Sequence, residues 1–245
     1  MGRGLSFTAA VVLAIPVAIA GGVPVADSDD SASAAIIDHY LASTQAQQTS
    51  LRGLQMDMEI DASLPKLKKS GKMQALRSIS KLGQITYQGL RFIGDQTIKN
   101  DVIVRYLTAE KQSQDIQQMS LTPKNYKFKY RGKGEKNGHQ IYVFQVAPKK
   151  KMVGLFKGEL WVDADTFLPL RESGRFVKNP SVFLKKIEFV RDYEIKDGIA
   201  FPRHIESTVD TRFWGPAQMS ISFTNVSRHD DDQVTAMPST TQVTQ

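Results

Sequence analysis

The feature that most limits what this chain can become is a strict period of two in its C-terminal half. Met219, Ile221 and Phe223 alternate with Ser220, Ser222 and Thr224, and Ile187, Phe189 and Tyr193 oppose Glu188, Asp192 and Glu194. Successive side chains of a strand point to opposite faces, so this pattern describes strands that bury one side only. The segments are about ten residues long, roughly 34 Å each. Tight-turn signals separate them. Asn137-Gly138 joins YKFKYRG to HQIYVFQVA, and Asp197-Gly198 joins FLKKIEFVRDYEI to AFPRHIESTVDTRF. Both dipeptides tolerate the positive φ that a two-residue hairpin demands. Asp163 to Thr166 joins GELWV to FLPLRESGRF, Asn179-Pro180 precedes the next strand, and Trp214-Gly215-Pro216 leads into AQMSISFTNVS. The result is an antiparallel meander.

The N-terminal half supplies the rest of the sheet and a helix. Ile36, Ile37, Tyr40 and Leu41 recur at helical spacing behind Ser33 as cap, which predicts a helix to about Gln48. Leu54, Met56, Met58 and Ile60 then alternate with Gln55, Asp57, Glu59 and Asp61, a half-buried strand that Pro65 ends. MQALRSIS and QITYQGLRF read as two strands about Gly83. IKNDVIVRYLTAEKQ carries both signals: Ile98, Val102 and Tyr106 suit a helix, the β-branched run Val102 to Val104 a strand. It is read as strand passing into helix. A sheet with a single greasy face needs a second layer, and so few helices are expected to leave part of it as an apolar cleft.

Arg3 before the apolar run FTAAVVLAIPVAIA, with small residues at Ala18, Ala20 and Ala26, reads as an export signal over residues 1–26, followed by a linker at 27–33. There is no cysteine, which excludes disulfides, thiolate metal sites and a lipid-modified cysteine. The expected compartment is the periplasm, with the mature protein soluble and not lipidated. The net charge of +7 argues, in an exported chain, for weak attraction to anionic lipid headgroups and against nucleic acid. Its basic runs, Lys66 to Lys69, Lys127 to Lys133 and Lys149 to Lys151, read as solvated strand faces and loops. Residues 229–245 compose a polar, disordered tail.

No motif for catalysis emerges. Asp163, Asp165 and Glu172 cluster beside a tryptophan, but a calcium loop beginning at Asp163 would need an oxygen ligand where Phe167 stands and glycine where Leu168 stands. Turn chemistry explains the two aspartates. Gly132, Gly134 and Gly138 are misspaced for a dinucleotide fingerprint and a strand follows them. His39, His139, His204 and His229 lack ligand spacing, and GxSxG and HExxH are missing. The expectation is a protein that is not an enzyme and uses no metal or cofactor.

LRGLQMDMEID, then GELWVDADTFLPLRE, then YEIKDGIAFPRHIE, resemble the outer-membrane lipoprotein-sorting (LolA-like) family over residues 34–228. The carrying positions are Leu160 to Asp163, Pro169 to Arg171, and Asp197-Gly198 with Pro202. The resemblance implies a mainly β fold, a strongly curved antiparallel sheet forming an unclosed half-barrel, with an N-terminal helix and short helical insertions as a lid over an apolar cavity. The residues expected to line that cavity are Leu54, Met56, Met58, Ile60, Tyr87, Phe144, Trp161, Phe189, Tyr193, Met219, Ile221 and Phe223. The implied function is binding of lipid or lipoprotein acyl chains by a monomeric carrier or chaperone in outer-membrane biogenesis, meeting inner- and outer-membrane protein partners. The alternative is an envelope-stress regulatory or scaffolding module that binds a membrane protein without transporting lipid.

Overall fold

The computed structural model describes residues 27–112, 119–179, 184–212 and 214–228. The expected signal at 1–26 and tail at 229–245 lie outside the described residues, as does Pro180 of the Asn179-Pro180 turn. In chain order the elements are α1 (Asp27–Ser50), β1 (Leu54–Leu64), β2 (Lys69–Ile79), β3 (Ile85–Gly94), a π-helical segment (Ile98–Ile103), α2 (Val104–Gln112), β4 (Tyr126–Lys136), β5 (His139–Pro148), β6 (Phe156–Asp163), β7 (Pro169–Phe176), β8 (Leu184–Lys196), β9 (Ile199–Thr211) and β10 (Pro216–Arg228).

All ten strands form one antiparallel sheet in the order β3-β2-β1-β10-β9-β8-β7-β6-β5-β4. β3 and β4 are its two free edges, so the sheet is curved and open. The turns act as their residues predict. Asn137 and Gly138 have φ of 52° and 81°, Asp197 and Gly198 of 52° and 72°. Gly158 and Gly174 face each other across β6 and β7, where a Cβ on Gly158 would stand 1.9 Å from the Ser173 carbonyl oxygen. No other residue permits strands to approach that closely, and such a pair lets the sheet bend.

Two helical readings need correction. α1 begins at Asp27, so residues 27–33 are its first turns and not a linker, and it runs on to Ser50. The segment from Ile98 is helical throughout, without an initial strand. Ile98 and Ile103 stand five residues apart, the repeat of a π-helix, and both are fully buried against the sheet; packing outweighs the strand preference of the β-branched run.

Both helical elements lie on the same side of the sheet and divide its apolar face into two cores. One contains Met56, Met58, Ile60, Met73, Ile221 and Phe223 of β1, β2 and β10, covered by Ile98, Ile103 and Leu107. The other contains Tyr126, Phe144, Phe156, Leu160, Val162 and Phe189 of β4, β5, β6 and β8, covered by Tyr40 with Ile36, Ile37 and Leu41 of α1. The expected apolar cleft is therefore packed with the protein's own side chains: Met56, Ile60 and Ile221 have no exposed surface.

Candidate functional site

The acidic turn after Trp161 settles first. Asp163 is buried, and its Oδ1 accepts hydrogen bonds from Thr166 N (2.8 Å) and Thr166 Oγ1 (2.7 Å) while Oδ2 meets His139 Nδ1 at 2.9 Å. Burial alone would raise the Asp163 pKa, but the bonds from Thr166 and His139 prevail and hold it below the usual carboxylate range. The tied turn leaves Phe167 in a left-handed conformation (φ 57°), where its ring stacks on His39 of α1 at 4.7 Å. This carboxylate fastens a helix. Among the described residues no group of three or more His, Asp or Glu is placed to hold a metal ion.

Of the twelve predicted cavity residues, eleven share the covered face. Leu54, Met56, Met58, Ile60, Ile221 and Phe223 are buried in the methionine-rich core, with Tyr87 and Met219 packed at its margin. Phe144 and Phe189 are buried in the aromatic core, and Tyr193 lies between the two, half-exposed. Trp161 is the exception and must be corrected. It stands on the opposite face with Lys157 and Glu159, donates from Nε1 to Glu159 at 3.2 Å, and lies beneath the cations of Lys136 and Arg171. The parity of β6 decides this, because buried Leu160 and Val162 on either side claim the inner face.

The inner face also carries charges. Strand register traces one transverse row across all ten strands: Phe92, Met73, Ile60, Ile221, Ile205, Arg191, Glu172, Leu160, Phe144 and Tyr130. Only Arg191 and Glu172, its sixth and seventh members, are charged. Arg191 NH1 donates to Glu172 Oε2 at 3.1 Å and to the Tyr193 hydroxyl at 3.4 Å, and the guanidinium carbon lies 5.8 Å from the Phe189 ring centre. A second pair stands nearer α2. Arg77 donates from Nε (3.2 Å) and NH2 (2.7 Å) to Glu110 Oε1, and the Tyr87 hydroxyl donates to Glu110 Oε2.

Tyrosines connect these pairs. Tyr106 of α2 feels Glu110, Arg191 and Arg77, and Tyr40 of α1 feels Glu172 and Tyr193. Burial first, and the neighbouring carboxylates second, push Tyr40, Tyr87, Tyr106 and Tyr193 well above the ordinary phenol range. Tyr126, raised chiefly by burial, reaches about 12. Every one of these hydroxyls keeps its proton at physiological pH. Tyr193 first, then Glu172, favour the charged form of Arg191 against the desolvation that opposes it, so it remains a cation. The belt presents protonated tyrosine donors and paired charges on the covered face.

Sequence reasoning missed this belt, although the signal was present. Arg191 sits between Phe189 and Tyr193, and Arg77 between Ala75 and Ile79, each on the apolar parity of its strand. Glu172 was grouped with the turn aspartates, yet β7 points it inward.

An open, curved antiparallel sheet whose inner face is covered by two helical elements and crossed by one polar belt defines the class: an unclosed half-barrel with a greasy interior. A family profile described as an uncharacterized protein matches residues 107–213, and no curated protein matches. Among solved structures the chain is similar to a DUF1329 family protein from Desulfovibrio piger (15% identity, 83% of this chain and 94% of that one, TM-score 0.45). It is also similar to a LolA superfamily protein from Nitrosomonas europaea (13%, 79% and 94%, TM-score 0.38). A third is an outer membrane lipoprotein-sorting protein domain from Vibrio parahaemolyticus (12%, 82% and 93%, TM-score 0.40). The last two carry the name of the family that the sequence resembles, and the likeness is one of fold. No described helix is long and apolar enough to cross a membrane.

Proposed function

We propose that this protein binds acyl chains of lipid or lipoprotein in the periplasm and acts as a carrier or chaperone in outer-membrane biogenesis. The observation that supports this reading is the methionine-rich half of the covered face. Met56, Met58, Met73 and Met219 line one patch of sheet beneath a single short helical element. Methionine is unbranched and polarizable and repacks around chains of different shape. In the closed arrangement Ile98, Ile103 and Leu107 occupy that patch, so a chain enters as the π-helical segment and α2 move aside and takes their place. Each methylene then buried contributes about 0.8 kcal/mol, enough for a few to set affinity. Lys127, Lys129 and Lys133 along the β4 edge suit a transient approach to an anionic membrane surface.

A second reading has its own support. The interior is filled, and at the opposite edge Leu82 (82% exposed), Ile93 (78%) and Leu90 (56%) present apolar surface around β3. A regulatory or scaffolding module that grips a membrane protein would use such an edge without carrying lipid. Native mass spectrometry of the protein purified from the envelope separates the two. The carrier reading expects an added mass of one acyl lipid, lost on delipidation and restored by a fluorescent fatty-acyl probe. A bare protein that takes up no probe would leave the module.

A further inference from the structure

We propose that Arg191 is the anchor for the ester carbonyl of a neutral, glycerol-linked acyl ligand, whose chain runs from the polar belt into the methionine-rich half. The inference rests on the acyl-binding reading and names the ligand class. Among the described residues Arg191 directs only NH1 at the protein, to Glu172 and Tyr193, while its Nε and NH2 donors meet no acceptor there. The side chain is nevertheless 38% accessible, although it rises from the middle of the covered face. A guanidinium fixed on one side by an ion pair and open on the other offers a forked donor to an incoming oxygen.

Charge selects which oxygen. Glu172 already neutralises Arg191, and Glu110 neutralises Arg77, so the belt holds no unbalanced cation for a ligand to meet. A carboxylate or phosphate arriving there would leave net negative charge among Phe189, Tyr193 and Tyr106, whose hydroxyls stay protonated. An ester carbonyl accepts the same hydrogen bonds without that penalty. Direction follows from register. Beyond Arg191 the row continues through Ile205 and Ile221 to Ile60 beside Met58, three strand spacings or roughly 14 Å away. On the other side Leu160 and Phe144 are locked in the aromatic core. The row towards the methionines is closed by Ile98, Ile103 and Leu107, and it opens as the π-helical segment and α2 move aside.

The test compares monomyristoylglycerol, the matching tetradecyl glycerol ether and myristate, by displacement of a fluorescent fatty-acyl probe from the full chain. The ester should bind about tenfold tighter than the ether, which lacks only the carbonyl, a ratio worth about 1.4 kcal/mol. It should also bind more tightly than myristate. In the double variant Arg191→Met with Glu172→Gln, which strands no buried charge, the ester should fall to the ether's affinity while the ether is unchanged. Should that variant fail to fold, the wild-type ratio of ester to ether decides. Equal binding of ester and ether overturns the inference and leaves the acyl-binding reading standing. Myristate binding tightest, and weakened by the double variant, overturns it in favour of an anion site. Binding of none of the three overturns both.

Discussion

The two cores beneath the helices are built from different materials. The half under α1 is aromatic: Phe189 meets Phe156 edge-on at 4.9 Å and stacks on Phe176 at 5.2 Å, while Phe128, Tyr130 and Tyr142 extend the cluster. Rings have few rotamers and preferred packing angles, so such a core has one good arrangement. The half under α2 is aliphatic and methionine-rich, and its covering helix is tied down by Glu110 on Arg77 and Tyr87. α1 is held by ring stacking and by the Ala200 amide, which donates to Gln47 at 2.8 Å. The proposed function divides tasks along this contrast: the aromatic half would keep the shape of the sheet, and the methionine half would exchange its contents.

Substitutions can break or sharpen that division. Met58→Asp places an unpaired charge in closed packing and should cost about 3–5 kcal/mol, unfolding the domain in a melting curve. A wild-type melt would instead show that the methionine half stands open to water. Phe156→Ala should cost about 3–5 kcal/mol in urea titration, since neighbouring rings cannot close the void. Glu110→Ala strands the buried Arg77 and should cost about 2–3 kcal/mol. Hydrogen-exchange protection should then fall over 98–112 and not over α1; an equal fall in both would refute independent halves.

Asp163→Ala should cost about 1–2 kcal/mol through the lost turn bonds and leave acyl binding unchanged. Because the folded pKa of Asp163 lies below its ordinary 3.8, its stabilising contribution is full above that value. It disappears as pH falls through the folded value, and the alanine variant should lack this acid-limb term. Met58→Leu, which keeps volume, should cost less than about 1.5 kcal/mol and alter chain-length preference more than stability.

The strand segments were legible because alternation and turn chemistry agree; Asn137-Gly138 and Asp197-Gly198 turn where their backbone freedom predicts. The covering helix was less so, because the spacing of Ile98 and Ile103 makes sense only against the sheet they pack on. At the candidate site, parity alone would have moved Trp161 outward and drawn Arg191 and Glu172 inward. What periodicity could not disclose is that inward charges at distant positions find partners across strands and helices, as Glu110 finds Arg77.

The pairing of β1 with β10 brings Leu54 beside Arg228. Every other neighbouring pair in the sheet joins consecutive strands, which can zip from local turns. The β1–β10 seam closes a loop that spans nearly the whole domain and must form after β10 has been made. As the chain folds from its N-terminal side, β1, β2 and β3 come first, then wait with the methionine face uncompleted while seven further strands assemble. The half proposed to exchange its contents is thus the last to be joined to the sheet, and during that wait its apolar surface depends on α2 or on another protector for cover.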